Sequence, residues 1–367
     1  MNVRTIAPVI LLGLLSVTFG CARNADEIRR DYQRAKAART ADWLERAYDL
    51  AGEWAVAYLS DHTDAEDEAL TKWMAQLDPP SGDAGNSIRS APVTEGGCGV
   101  CDLVTSAVRI SRGLYVVAAG FTNDDYPQYG VGTFFLISRA GGKYQIAWTA
   151  AGSKDKRVDG LVEDITKLPP SAKGHPRFYL QNSDLQGSGC WLQGQLSVWE
   201  WDGTRAIPLL IRHYTSNFDL SGGDGPIKFD GQFIRVRTKE SFKAFMDYSC
   251  SRDPEGEWTI RITPEEVMDL GVRRVHPELD LIDDLFDRIN RRRNAEQLAA
   301  PTVISALQKT YPNGLAPVVP DWKLQGAELC VNLNMGEPVS HIFTLSRAGG
   351  TLFVTSVKDV SRACNSE

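Results

Sequence analysis

Apolar residues recur at steps of three and four between residues 26 and 61, at Ile28, Tyr32, Ala35, Leu44, Ala47, Ala51, Trp54 and Tyr58. That period sets them on one face of a helix, and Gly52 is the only helix-weakening residue in the run. Residues 28–40 form the more polar half and read as a spacer, with Thr40 opening a second helix. Thr63 and Glu66 have the spacing of a capping box, in which hydroxyl and carboxylate each satisfy an exposed backbone N–H. They predict a helix that runs to Leu77 and stops before Pro79-Pro80. Residues 78–95, rich in Pro, Ser, Gly and Asn, then read as a loop.

From residue 101 to about 262 the pattern changes to β-branched and aromatic runs bounded by turn residues, at 103–110, 114–119, 133–137, 144–149, 177–180, 195–201 and 207–214. Asp202-Gly203 and Asp230-Gly231 accept the positive φ of a tight hairpin, and Pro254-Glu255-Gly256 precedes a further run. The expectation is an antiparallel meander or sandwich. Beyond it, Thr263-Pro264-Glu265-Glu266 has the form of a helix start. After Pro277, Leu279, Ile282, Leu285, Phe286 and Ile289 line one helical face, and Pro301 opens another helix that ends at Pro312-Asn313-Gly314. Strands follow at 322–332, 341–346 and 352–357.

The fold class is therefore α+β, with N-terminal helices, a central antiparallel β-rich body, and C-terminal helices followed by a small antiparallel sheet. The expected units are 1–20 (a removable leader), 21–78 (helical), 79–262 (β-rich) and 263–367 (helices and a β-hairpin). An internal echo crosses this division. Phe135-Leu136-Ile137-Ser138-Arg139-Ala140-Gly141-Gly142 recurs as Phe343-Thr344-Leu345-Ser346-Arg347-Ala348-Gly349-Gly350, each after a helical stretch and a strand and each before another strand. A duplicated unit of helices on a sheet explains both copies; convergence on a Gly-Gly hairpin is the other reading.

Composition narrows the function classes. The chain has 367 residues, 43% hydrophobic and 24% charged, enough to bury a real core, and its net charge is −7. A diffuse acidic balance excludes nucleic acid as the main partner, because phosphate binding needs clustered Lys and Arg. Arg291-Arg292-Arg293 closes a helix, where cations complement the dipole.

The first residues set the compartment. Arg4 precedes an unbroken apolar run from Ile6 to Leu15, which passes through Ser16, Val17, Thr18, Phe19 and Gly20 to Cys21. A charged start and a short apolar core have the form of a secretory signal, too short to span a bilayer. The Gly20-Cys21 junction resembles the lipobox of bacterial lipoproteins over about twenty residues, although Thr18 and Phe19 stand where that family has a branched aliphatic and a small residue. The resemblance implies that Cys21 is lipidated on sulfur and becomes the N-terminus. Ala22, rather than Asp, follows it, which by resemblance to Gram-negative lipoproteins implies the outer membrane, with the body facing the periplasm. Cleavage after Ala22, which discards Cys21 and leaves a soluble periplasmic or secreted chain, is the alternative. Either outcome leaves six of the seven cysteines, an even set that suits an oxidising compartment. Pairing neighbours in sequence gives Cys98–Cys101, Cys190–Cys250 and Cys330–Cys364. The last two close long loops, each a stabilisation of about 4 kcal/mol on the loop-closure account.

Cys98-Gly99-Val100-Cys101 is the most chemical-looking motif, but a reactive thiol belongs at a helix N-terminus, and here a Gly-rich loop precedes a strand. The five histidines, His62, His175, His213, His276 and His341, form no local motif and read as solvated or capping groups. There is no G-x-S-x-G elbow, phosphate loop, dinucleotide fingerprint or zinc spacing, so no catalytic residue, cofactor or metal ligand is assigned. Two loops offer ligand surfaces: residues 123–129, with Asp124, Asp125 and Tyr126, and residues 219–225, whose oxygens lack the spacing of a calcium loop. Trp199 and Trp201 share a strand face, which is core if covered and a sugar or protein platform if exposed. The sequence thus leads to a non-catalytic envelope lipoprotein, a binding or assembly module with the membrane, a protein or a glycan as partner. A hydrolase with an unrecognised carboxylate site and a thiol oxidoreductase using Cys98 and Cys101 are the alternatives.

Overall fold

The computed structural model describes residues 23–38, 43–79, 101–123, 131–150, 158–159, 161–184, 191–217, 226–239, 243–245, 255–315, 321–333, 340–360 and 364. Three helices come first, α1 (Ala25–Ala38), α2 (Trp43–Asp61) and α3 (Asp67–Met74). Four antiparallel meanders account for the strands. Sheet A is β1 (Cys101–Ser111), β2 (Leu114–Asn123), β3 (Val131–Ala140) and β4 (Lys143–Thr149), with the short β5 (Val158–Asp159) added to β3. Sheet B is β6 (Leu161–Leu168), β7 (Arg177–Asp184), β8 (Trp191–Trp201) and β9 (Ala206–Asn217). Sheet C is β10 (Ile227–Phe229), β11 (Phe233–Lys239), β12 (Glu255–Ile262) and β13 (Val267–Arg274). Helices α4 (Pro277–Asn290) and α5 (Pro301–Thr310) precede sheet D, made of β14 (Asp321–Gln325), β15 (Glu328–Asn332), β16 (Ser340–Ala348) and β17 (Thr351–Val360).

Alternation along the strands explains the layering, because successive side chains leave a strand on opposite faces. On β3, Phe135 and Ile137 join the core beneath α1–α3, whereas Phe134 and Leu136 join the core shared with sheet B. Trp43 meets Phe121 edge-on at 5.1 Å, and Trp54 stacks on Trp73 at 4.6 Å, each indole N–H donating to the other residue's carbonyl. Gly52 sits over Phe135 and Ile146, so its missing side chain is what lets α2 approach the sheet. The far face of sheet B, through Leu196 and Val198, packs on Trp258 and Ile260 of sheet C. The order is a helical layer, then sheets A, B and C. Trp199 and Trp201 are 2% and 7% exposed, and Phe134 lies edge-on to Trp199 at 5.2 Å. The tryptophan pair is therefore core between two sheets and offers no exposed platform.

The C-terminal unit reproduces the first. The two Ser-Arg-Ala-Gly-Gly segments occupy the same place, the turn between the third and fourth strands of a meander, and all four glycines have positive φ. Each ladder carries a bulge at the matching step, between Leu136 and Ile137 on β3 and between Thr344 and Leu345 on β16. Ile137 pairs with Ile146 and Leu345 with Val354, and Phe135 and Phe343 both face helices. The opposite faces diverge. Leu136 and Trp148 meet the core shared with sheet B, whereas Thr344 and Ser356 hydrogen-bond to each other at 2.8 Å on a face with exposed positions. A polar outer face is what closes a stack of repeats against solvent.

Two local expectations fail. α3 begins at Asp67 with Glu66 as its N-cap, because His62 to Asp64 form a turn in which Asp64 has φ 61°. Thr263 Oγ1 does accept the Glu266 N–H at 3.1 Å, the bond an N-cap makes, but a tight turn makes it too, and the chain continues as β13. Ile262 is the last residue of β12 in the β12–β13 hairpin, and the small antiparallel sheet expected after the C-terminal helices is present with four strands.

Candidate functional site

Strand pairing fixes which connections share an end of the A–B–C stack. In sheet A the turns at 112–113 and 141–142 close one end, and Asn123 and Val131 stand at the other. β5 pairs with Val131 and Gly132 at that second end and runs directly into β6, whose Leu161 pairs with Ser183. The Arg177 guanidinium donates to the Thr263 carbonyl at 2.7 Å and the Ala172 N–H to the Pro264 carbonyl at 2.7 Å. Those bonds set the β12–β13 turn beside the β6–β7 connection, at the short-turn end. Hence the strand ends flanking 124–130, 151–157, 185–190, 218–225 and 240–254 all lie at one end of the stack.

Asp124, Asp125, Tyr126, Cys98, Cys190, Cys250 and the 219–225 loop lie outside the described residues, as does Cys21. The strands that lead to these loop positions nevertheless converge. Cys101 pairs in register with Asn123, and Trp191 with Asn217, all four at this end. Here the layers between the sheets turn from apolar to neutral polar: Asn182 and Gln195 lie on the faces turned to sheet A, and Gln181 and Ser216 on those turned to sheet C. The buried Thr133 and Ser216 hydroxyls have no hydrogen-bond partner among the described residues. Amides and hydroxyls both donate and accept hydrogen bonds and can bind a polar ligand.

The ionisable groups that are buried act as ties. Arg177 binds Glu200 at 2.8 Å, and Glu200 also meets His175 at 3.0 Å. Burial pushes the Glu200 carboxyl up, but bonds from His175 and Arg177 outweigh it and hold the group below the usual range. Asp283 accepts the backbone N–H groups of Lys243, Ala244 and Phe245, joining α4 to the β11–β12 connection. Burial raises its pKa against those bonds. Asp78 holds Tyr32 and Lys36 of α1 and the Leu103 N–H of β1.

The most catalytic-looking constellation is Tyr311–His341–Asp359. Nε2 of His341 lies 2.6 Å from Tyr311 Oη, and Nδ1 lies 2.6 Å from Asp359 Oδ1. Burial, then the Asp359 charge, raises the Tyr311 pKa, so the phenol keeps its proton. His341 is neither solvated nor capping; its side chain is 0% exposed, among Phe343 and Tyr311. An imidazole sealed from solvent and bonded at both nitrogens cross-links α5, β16 and β17 and leaves no nitrogen free for a substrate. His276 occupies the N-cap position of α4 but makes no side-chain capping bond, its ring lying edge-on to Trp322 at 4.7 Å. None of these partnerships is local in sequence, and no spacing rule finds them. The Cys330–Cys364 disulfide matches the expected neighbour pairing, with Cα atoms 5.6 Å apart.

No protein-family model and no curated protein matches the chain. Solved structures that resemble it include a "putative 6-phosphogluconolactonase" from Bacteroides fragilis, at 10% identity and TM-score 0.15, covering 74% of this chain and 83% of the other. A protein of the same description from Bacteroides uniformis has 8% identity and TM-score 0.14, with coverage of 74% and 84%. Likeness at this level assigns neither fold nor activity.

Proposed function

We propose that the chain is an exported bacterial lipoprotein, tethered to the outer membrane through Cys21 and facing the periplasm. In this reading it works as a non-catalytic binding or assembly module, and the loop-bearing end of its sheet stack meets an envelope protein or glycan. The observation that carries the reading is the division of labour just described. The buried charged groups tie elements to one another, while the strand ends that flank the long connections lie at one end of the sheet stack, and binding residues commonly sit on such connections. The Cys330–Cys364 bridge supports an oxidising compartment. The thiol oxidoreductase alternative loses ground because Cys101 opens a strand, where no helix dipole acts on its thiol. The hydrolase alternative has two histidine–carboxylate pairs to rest on among the described residues: in His341–Asp359 both ring nitrogens are engaged and the ring is buried, and in His175–Glu200 the carboxylate is also held by Arg177.

A photo-crosslinking residue tests the binding end. Placed at position 126 in intact cells, it is expected to give a discrete protein or glycan adduct, and placed at Lys143, by the short turns, to give none. An adduct from position 143 with none from position 126 contradicts the reading.

A further inference from the structure

α1 packs by one face and presents the other outward. Ile28 and Tyr32 are buried against α2 and sheet A, Lys36 is held by Asp78 at 2.7 Å, and Arg23 reaches Asp31 and Glu53. On the outward side Asp26, Arg29, Arg30, Gln33 and Arg34 lie together as an exposed strip along the helix. Arg34 pairs with Asp31 at 2.8 Å, whereas Arg29 and Arg30 have no carboxylate within ion-pair distance among the described residues. With Asp31 counted, this strip sets three guanidinium groups against two carboxylates, and Arg29 and Arg30 stay unpaired among the described residues, in a chain whose net charge is −7. Arg46 of α2 adds its field, since it also lowers the Asp31 pKa after the larger effects of Arg23 and Arg34.

Position gives the strip its meaning. The helical layer is the outermost layer of the stack, and α1 starts four residues after Cys21. Four residues span at most about 14 Å, so acylation at Cys21 keeps the start of α1 within about 14 Å of the anchored cysteine and within reach of the lipid headgroups. Guanidinium binds phosphate oxygens bidentately, and basic residues beside an anchor attract anionic lipid. We propose that Arg29, Arg30 and Arg34 seat the body on anionic phospholipid headgroups, so that the lipid fixes the height of the protein and the strip its orientation. This rests on the lipid-anchor reading of Cys21.

The test uses the lipid-free chain 22–367, which keeps every described element, so that acyl insertion cannot mask the strip. With vesicles of about 30% phosphatidylglycerol in phosphatidylcholine, at about 50 mM salt, the chain is expected to cosediment, and not with phosphatidylcholine alone. Replacing Arg29, Arg30 and Arg34 together by Gln, or raising salt to about 500 mM, should lower the partition coefficient at least about tenfold. Inorganic phosphate at matched ionic strength should compete no better than chloride. All three side chains are exposed, so circular dichroism and the unfolding midpoint of the variant should match the parent. Failure of the parent to bind anionic vesicles, or equal binding by a folded variant, overturns the proposal. Loss of binding to free phosphate overturns it in favour of a soluble-anion site. Mass analysis of Cys21 reports on the anchor separately, so an acylated chain with an inert strip rejects the strip alone.

Discussion

His341 Nδ1 lies 2.6 Å from Asp359 Oδ1, so an imidazole with no exposed surface is bonded to a carboxylate whose side chain is 59% exposed. The other nitrogen meets Tyr311, and the side chains of α5, β16 and β17 close around the ring. Removing the ring leaves a cavity and strips Tyr311 of its partner, whereas water can replace Asp359. His341→Ala should therefore cost about 3 kcal/mol and Asp359→Ala about 1 kcal/mol or less, measured by urea unfolding. Equal and small effects would show that the ring is not a structural tie.

Gly194 faces Tyr214 across the β8–β9 ladder, and a Cβ there would fall inside van der Waals contact with the phenol ring. The ring is buried against sheet C and has nowhere to retreat. Gly194→Ala should destabilise by about 2 kcal/mol through overpacking, and Gly194→Ala with Tyr214→Phe, which leaves the ring in place, should recover little of it.

Asp202 closes the β8–β9 turn, where its Oδ1 accepts from the Thr204 hydroxyl and from the Thr204 and Arg205 N–H groups. Those bonds, the Thr204 hydroxyl first, lower its pKa to about 2 from 3.8. A carboxyl whose pKa is depressed by folding stabilises the native state above its unfolded pKa and loses that contribution as pH falls through the folded value. The stability gap between the parent and Asp202→Ala should be constant above about pH 5 and shrink as pH falls from 4 towards 2. A gap that widens on acidification contradicts the assignment.

Asp283 supplies the acceptors for three successive N–H groups, those of Lys243, Ala244 and Phe245. Asp283→Ala should cost about 3 kcal/mol and speed amide exchange at those three positions more than in α4. Unchanged exchange at 243–245 in the variant would mean that the carboxylate does not hold the segment.

Periodicity made the secondary structure largely legible. The helix at Pro277–Asn290, the helix at Pro301–Thr310 and the Asp-Gly and Gly-Gly hairpins all follow from spacing and turn chemistry that act within a few residues. Thr263 misled because one hydroxyl-to-N–H bond serves both a helix cap and a tight turn, and only the strand partner β12 decides between them. The repeat was visible in five identical residues, but its common bulge was not, since a bulge depends on the opposing strand. The ties were the least legible: Arg177 reaches Thr263, 86 positions away, and Tyr311 reaches His341, 30 away, and nothing local marks either pair.

A lipid anchor at Cys21 and an oxidised body can be read in one measurement. Intact-mass analysis of the mature protein purified from cell envelopes, before and after reduction and alkylation, reads both. The account predicts an N-terminus at Cys21 carrying a diacyl or triacyl addition, and a body in which Cys330 and Cys364 alkylate only after reduction. An unmodified chain beginning at Arg23 contradicts the anchor, and free Cys330 and Cys364 before reduction contradict the oxidising compartment.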